Sequence, residues 1–139
     1  MTMLPERDRT RVLLLAWWII WAGILAGLVA IYLVLGHGPK PAAAPDQALS
    51  GLIGLGPLFL SVITRWLVLP RFRDPNRALP VFIAGLAMAE ACGLLGIFLG
   101  GPYRDDLFLL GVLGVLQFVP LFARRMFEAP GTPGFFPRG

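Results

Sequence analysis

Residues 79–101 read LPVFIAGLAMAEACGLLGIFLGG, 23 residues with one charged side chain, Glu90, at their middle. A helix of about 20 mostly apolar residues spans the hydrocarbon core of a bilayer, so this stretch reads as a transmembrane helix. Gly85, Ala89, Gly93, Gly96 and Gly100 fall within a narrow arc when the chain turns about 100° per residue. Lipid tails are as apolar as Leu, so burial alone does not bring helices together in a bilayer; close packing over small residues does. The stripe therefore makes this span the expected centre of a bundle.

Three more apolar runs surround it. Val12–Leu35 has 24 residues and no charge. Ala48–Leu69 is interrupted late by Arg65. Leu107–Ala123 is shorter, 17 residues, with Gln117 its only strongly polar member. It has room to extend outward through Asp105 and Asp106, acids that suit a helix N-terminus. The expected fold is all-α, a polytopic membrane protein with four transmembrane helices at 12–35, 48–69, 79–101 and 107–123. Residues 1–127 form one domain, and 128–139 form an irregular tail rich in Pro and Gly. Val12–Leu35 is a retained span, since the apolar region of a signal peptide runs only about 7–15 residues.

Composition agrees. The 139-residue chain is 57% hydrophobic and 14% charged, with a mean hydropathy of +0.75. Soluble chains carry about 25% charged residues. The net charge of +4 does not point to nucleic acid, because the basic residues stand at the ends of apolar runs and not on one folded face with aromatics between.

Their placement orients the chain. Arg7, Arg9, Arg11, Arg65, Arg71, Arg73, Arg77, Arg124, Arg125 and Arg138 fall on one side, ten in all, against Lys40 and Arg104 on the other. The positive-inside rule puts the ten, and both termini, in the cytoplasm. Eleven Arg against one Lys, with much Ala, Gly and Pro, read as GC-rich bacterial coding, hence a bacterial inner membrane. Trp17, Trp18, Trp21 and Trp66 are expected at the cytoplasmic interface, Tyr32 and Tyr103 near the outer one. Arg65 is expected to snorkel toward headgroups.

The connections carry turn chemistry. Asp74 can cap a helix with Pro75 in its first turn, or Pro80 can occupy that turn. Gly36–Pro45 reads as an extended external loop. Pro57 and Pro120 each remove a helical hydrogen bond. Beyond the central stripe, Gly23 and Gly27 with Ala22, Ala26 and Ala30 offer packing in the first span. Gly51, Gly54 and Ser61 do so in the second, Gly111 and Gly114 in the fourth.

Glu90 asks for a function. A charge at the centre of a span costs about 2.5–3.5 kcal/mol even on the lenient insertion scale, so the carboxyl is expected neutral and turned toward neighbouring helices. Counted from the outer ends of their spans, Glu90 and Gln117 lie equally deep, about 15 Å at 1.5 Å per residue. A Glu90–Gln117 hydrogen bond, worth about 0.6 kcal/mol in a bilayer, is the structural expectation. The functional alternative is a proton or cation site.

No Ser/His/Asp, Cys/His or HExxH arrangement is available, and the only histidine, His37, lies in the first loop. The lone cysteine, Cys92, reads as a packing residue. The expectation is no enzyme, metal or cofactor.

Arg73–Phe98, about a fifth of the chain, resembles the carboxylate helix of the rotor-ring c subunit of ATP synthases. Gly85-Leu86-Ala87, then Glu90-Ala91, then Gly96, carry the likeness, after a polar loop containing Arg. The resemblance implies that Glu90 carries a proton. The preceding span departs from that family, with Pro57, Arg65 and Trp66 where a dense glycine repeat belongs, and two additional spans surround the match.

The leading expectation is a structural or accessory membrane subunit that associates through small-residue helix faces, with the lipid bilayer, other membrane subunits or further copies as partners. The alternative is a proton- or cation-coupled transporter or channel element using Glu90.

Overall fold

The computed structural model describes the backbone of residues 6–39 and 48–122, and the side chains of 11–39 and 52–122. Lys40 with the following loop residues, Arg124, Arg125, Arg138 and the tail 128–139 lie outside the described residues, as do the side chains of Arg7 and Arg9. The described residues hold four principal helices and no strand: α1 Glu6–Leu35, α2 Ala48–Ile63, α3 Pro75–Leu99 and α4 Arg104–Leu116. With their flanking turns, all four are long and apolar enough to cross a membrane.

Asp74 starts α3. Its extended backbone frees the side chain to accept from the Asn76 N–H at 2.9 Å, with Pro75 at the first helical position. Of the two prolines that could open this helix, Pro75 does so, and Pro80 lies one turn inside it.

α2 does not end as an α-helix. Thr64–Val68 form a π-helical turn in which the Leu69 N–H reaches back to the Thr64 carbonyl, and Leu69–Arg71 follow as a 3₁₀ turn. In an ordinary α-helix the ring of Pro70 would clash with the carbonyl of Trp66, and the widened turn lies just ahead of that clash. The Thr64 hydroxyl donates to the Leu60 carbonyl at 2.8 Å.

The turn into α4 depends on Gly101, the one described residue with a left-handed backbone, φ 49°. Pro102 follows, and α4 begins at Arg104, three residues earlier than Leu107. It ends at Leu116, and Pro120–Phe122 form a 3₁₀ turn.

Side-chain pairs give the topology. Trp17 stacks on Phe82 with centroids 4.4 Å apart, and Leu28 abuts Gly93, so α1 and α3 run parallel with residue n of α1 level with residue n + 65 of α3. Gly96 meets Leu107, Gly93 meets Gly111 and Gly85 meets Phe118, so α3 and α4 are antiparallel. Ser61 meets Gly85, and Gly54 meets Leu107, which itself lies against Gly96, so α2 is antiparallel to α3. α3 packs against all three other helices, most extensively against α4, as the small-residue stripe leads one to expect.

The core is Trp17, Leu28, Leu69, Ala78, Phe82, Leu86, Ala89, Val115 and Phe118. Trp17 is thus a core ring, turned into the bundle. It is fully buried, stacked on Phe82 with Phe122 at its edge.

The glycines divide into two kinds. A Cβ on Gly111 would meet Gly93 N at 2.6 Å and Cα at 2.7 Å, and one on Gly93 would meet Leu28 Cδ1 at 2.8 Å. Backbones approach here at a distance that only glycine permits. A Cβ on Gly23 or Gly27 would meet nothing within 4 Å. The expectation that these two pack inside the bundle is corrected: they face outward from it.

Candidate functional site

The expected Glu90–Gln117 hydrogen bond does not form. The Gln117 side-chain amide donates to Ser61 Oγ at 3.3 Å, and Ser61 donates in turn to the Gly85 carbonyl at 2.9 Å. The register explains the miss. α4 begins at Arg104, so depth counted from Leu107 is wrong by three residues, nearly a turn. Gly114, not Gln117, lies beside Ala89.

Around Gln117 the structure completes a broken helix end. The last carbonyls of a helix have no partner within it, and Pro120 cannot supply an N–H. Here the Gln117 N–H donates to the Leu113 carbonyl and the Val119 N–H to that of Leu116. The Phe118 N–H and, from α1, the Trp21 indole N–H at 2.9 Å both donate to Val115. Arg65 Nε, from the π-helical turn, donates to the Gln117 carbonyl at 2.8 Å. The Arg65 guanidinium also lies over the Phe122 ring, 3.9 Å from its centroid.

Arg65, expected to snorkel, and Trp21, expected at an interface, both cap α4, where positive charge also suits the negative end of the helix dipole. Pro120 was the sequence signal that donors would be needed there. The carbonyls of this cluster are satisfied within the chain, and the cluster acts as structure.

A second polar cluster joins the other end of α1 to the start of α4. The Tyr32 hydroxyl donates to the Asp105 carboxylate at 3.0 Å, and its ring stacks on Phe108 at 3.8 Å. Arg104 donates to the Gly38 carbonyl at 2.9 Å and lies 3.5 Å from Asp105. These contacts latch two helices and the loop between. No group of three or more His, Cys, Asp or Glu that could hold a metal occurs among the described residues.

Glu90 differs from both clusters. The buried residues of α3, Ala78, Phe82, Gly85, Leu86, Ala89, Cys92, Gly93 and Gly96, cover an arc of about 120° at 100° per residue. Glu90 lies about 40° beyond Leu86, the last of that arc, and is partly exposed. It sits on the flank where α1 packs, since Phe82 and Gly93 on the same side meet Trp17 and Leu28. Among the described residues no hydrogen bond or ion pair reaches it.

The parallel register puts Glu90 level with Leu25, between Gly23 and Gly27. On α1, Trp21 and Tyr32 face α4. Gly27 lies on the flank of α1 turned away from α4, about 90° from the side that meets α3, and Gly23 lies a further 40° round, away from α3. Glu90 and Gly27 thus open on the same side of the α1–α3 pair. Of the expected packing positions, Gly85, Ala89, Gly93, Gly96 and Gly100 are buried inside the bundle. Gly23 and Gly27 are not.

No family model, no curated protein and no solved structure matches the chain.

Proposed function

We propose that this chain is a multi-pass protein of a bacterial inner membrane, with both termini in the cytoplasm, and that it works by lateral association. The side of the α1–α3 pair on which Glu90 and Gly27 open docks a further transmembrane helix, and Glu90 is the polar anchor. The observation that carries this reading is the carboxyl midway along α3, partly exposed and, among the described residues, reached by no hydrogen bond or ion pair. Such a group is costly against hydrocarbon and gains from any hydrogen-bonding neighbour. Ten basic residues against two support the orientation.

The test places a reporter on that side of the pair. In a Cys92→Ala background, Gly27→Cys introduces a side chain with open space around it. Labelling by a lipid-soluble maleimide in native membranes is slow where a helix covers that side and fast where lipid does. Slow labelling that becomes fast in Glu90→Leu supports the reading. Fast labelling in both sinks it.

A second reading, proton or cation handling, has one observation in its favour. Among the described residues no hydrogen bond or ion pair occupies the Glu90 carboxyl, which leaves it open to proton exchange. The resemblance of Arg73–Phe98 to the rotor-ring carboxylate helix points the same way. Proteoliposomes containing a pH-sensitive dye separate the two. Proton flux that Glu90→Gln abolishes supports proton handling, and an absence of flux in both forms excludes it.

A further inference from the structure

We infer that the terminal nitrogens of Arg65 bind the phosphate of an anionic phospholipid headgroup, where the π-helical turn after α2 meets the close of α4. The inference rests on the membrane reading above and not on association at Glu90.

Three observations lead to it. The first is an unbalanced charge. A guanidinium stays cationic in proteins, and that of Arg65 is only partly exposed. The printed geometry pairs Arg77 with Asp74 and Arg104 with Asp105, and among the described residues no acid reaches Arg65. A charge drawn out of water is ordinarily paired, so an anion from another molecule is the missing half.

The second is the fork. A guanidinium carries five N–H donors in one plane. The Nε–H of Arg65 is spent on the Gln117 carbonyl at 2.8 Å. The group lies over the Phe122 ring, 3.9 Å from its centroid, and 5.3 Å from that of Trp66. It is therefore held in place, and the four N–H of its two terminal nitrogens meet no acceptor among the described residues. Parallel N–H donors match two oxygens of a phosphate. A fork fixed beforehand loses little freedom on binding.

The third is depth. Arg71 ends the span that holds Arg65, about 9 Å further along at 1.5 Å per residue. The side chain runs toward that end, because Gln117 and Phe122 close α4 there. Trp66, next in the chain, is 64% exposed, and tryptophan suits the headgroup level. Arg71 and Arg73 follow, both exposed, so the local field favours an anionic headgroup over a zwitterionic one. Basic pockets between transmembrane helices on the cytoplasmic side take such headgroups.

The experiment counts lipid retained by the full-length chain in mass spectra of the intact protein, released from an uncharged detergent with phosphatidylglycerol or phosphatidylcholine supplied. The wild-type chain should retain one phosphatidylglycerol, about tenfold more tightly than phosphatidylcholine. Arg65→Gln separates the lipid site from the helix cap. The glutamine amide nitrogen takes the place of Nε along the side chain, so the Gln117 carbonyl keeps a donor while the charge and the fork are gone. This variant should melt near the wild-type temperature in lipid-free detergent and bind the two lipids alike. Arg77→Gln, on an exposed residue paired with Asp74, should cause no shift. In the wild-type chain, a dicarbonyl reagent selective for arginine reads the site without a variant. Phosphatidylglycerol should slow modification of Arg65 about tenfold relative to phosphatidylcholine.

Equal retention of phosphatidylglycerol by the wild-type chain and Arg65→Gln overturns the site, as does Arg65 modified at one rate in both lipids. Inorganic phosphate that displaces the lipid at equal concentration assigns the fork to a free anion and overturns the lipid. None of these outcomes bears on Glu90, whose reading the maleimide test decides by itself. A chain that alkaline washing strips from membranes removes the membrane reading, and this proposal with it.

Discussion

Two glycine pairs of the bundle are placed in opposite ways. At the α3–α4 seam, Gly93 and Gly111 stand backbone to backbone, and a Cβ on Gly111 has no room. On α1, a Cβ on Gly23 or Gly27 would meet nothing within 4 Å. The first pair serves folding, and the second faces out of the bundle. The comparison teaches that a small residue in a membrane helix records a close approach without saying whose backbone approaches.

The largest effect that could break this comparison is at the closed seam. Gly111→Leu should destabilise the chain by about 3 kcal/mol, read as equilibrium unfolding in mixed micelles. A loss under ~1 kcal/mol would mean that the seam opens freely and that its glycines are incidental.

Next comes the polar closure of α4. Arg65→Met keeps much of the side-chain bulk but strips the Gln117 carbonyl of its donor. The expected loss is about 2 kcal/mol, the cost of an unsatisfied buried acceptor. Amide exchange at the end of α4 should accelerate with it, and unchanged exchange would show that water or lipid headgroups replace the guanidinium there. Gln117→Leu removes only the bond to Ser61. It should cost about 0.6 kcal/mol, the average of a side-chain bond in a bilayer.

The smallest effect has the opposite sign. Gly27→Ala meets no neighbour and replaces a poor helix former with a good one. In dilute detergent, where chains are separate, it should raise stability by about 0.5 kcal/mol. A loss of stability instead would place Gly27 in a packed seam and erase the contrast.

The sequence carries the four spans, the central place of α3 and the Asp74 start openly, because each rests on local pattern: run length, small-residue arc, cap chemistry. It hides whatever depends on register between helices. Glu90 and Gln117 were paired by counting from Leu107. The three residues Arg104, Asp105 and Asp106, polar enough to resemble loop, are in fact the first turn of α4. That added turn moves Gln117 to Ser61 and leaves Glu90 without it. The capping roles of Arg65 and Trp21 were hidden for a related reason. Their residue types suit an interface, and only the fold brings the end of α4 beside them. The surroundings of Glu90 were half legible. The carboxyl and the glycine pair of α1 are both plain in the sequence, but their equal height comes from the parallel register of α1 and α3.

The end of α4 has a consequence for how the chain is made. Its carbonyls at Val115 and Gln117 are met by Trp21 of α1 and by Arg65 of the turn that closes α2. Both donors leave the ribosome before α4 does. The fourth helix therefore emerges into a site already furnished, and its termination is supplied by its elders. A chain assembled with α4 ahead of α1 and α2 would leave a frayed end with no donor waiting, so circular permutation here would penalise assembly and not the finished fold.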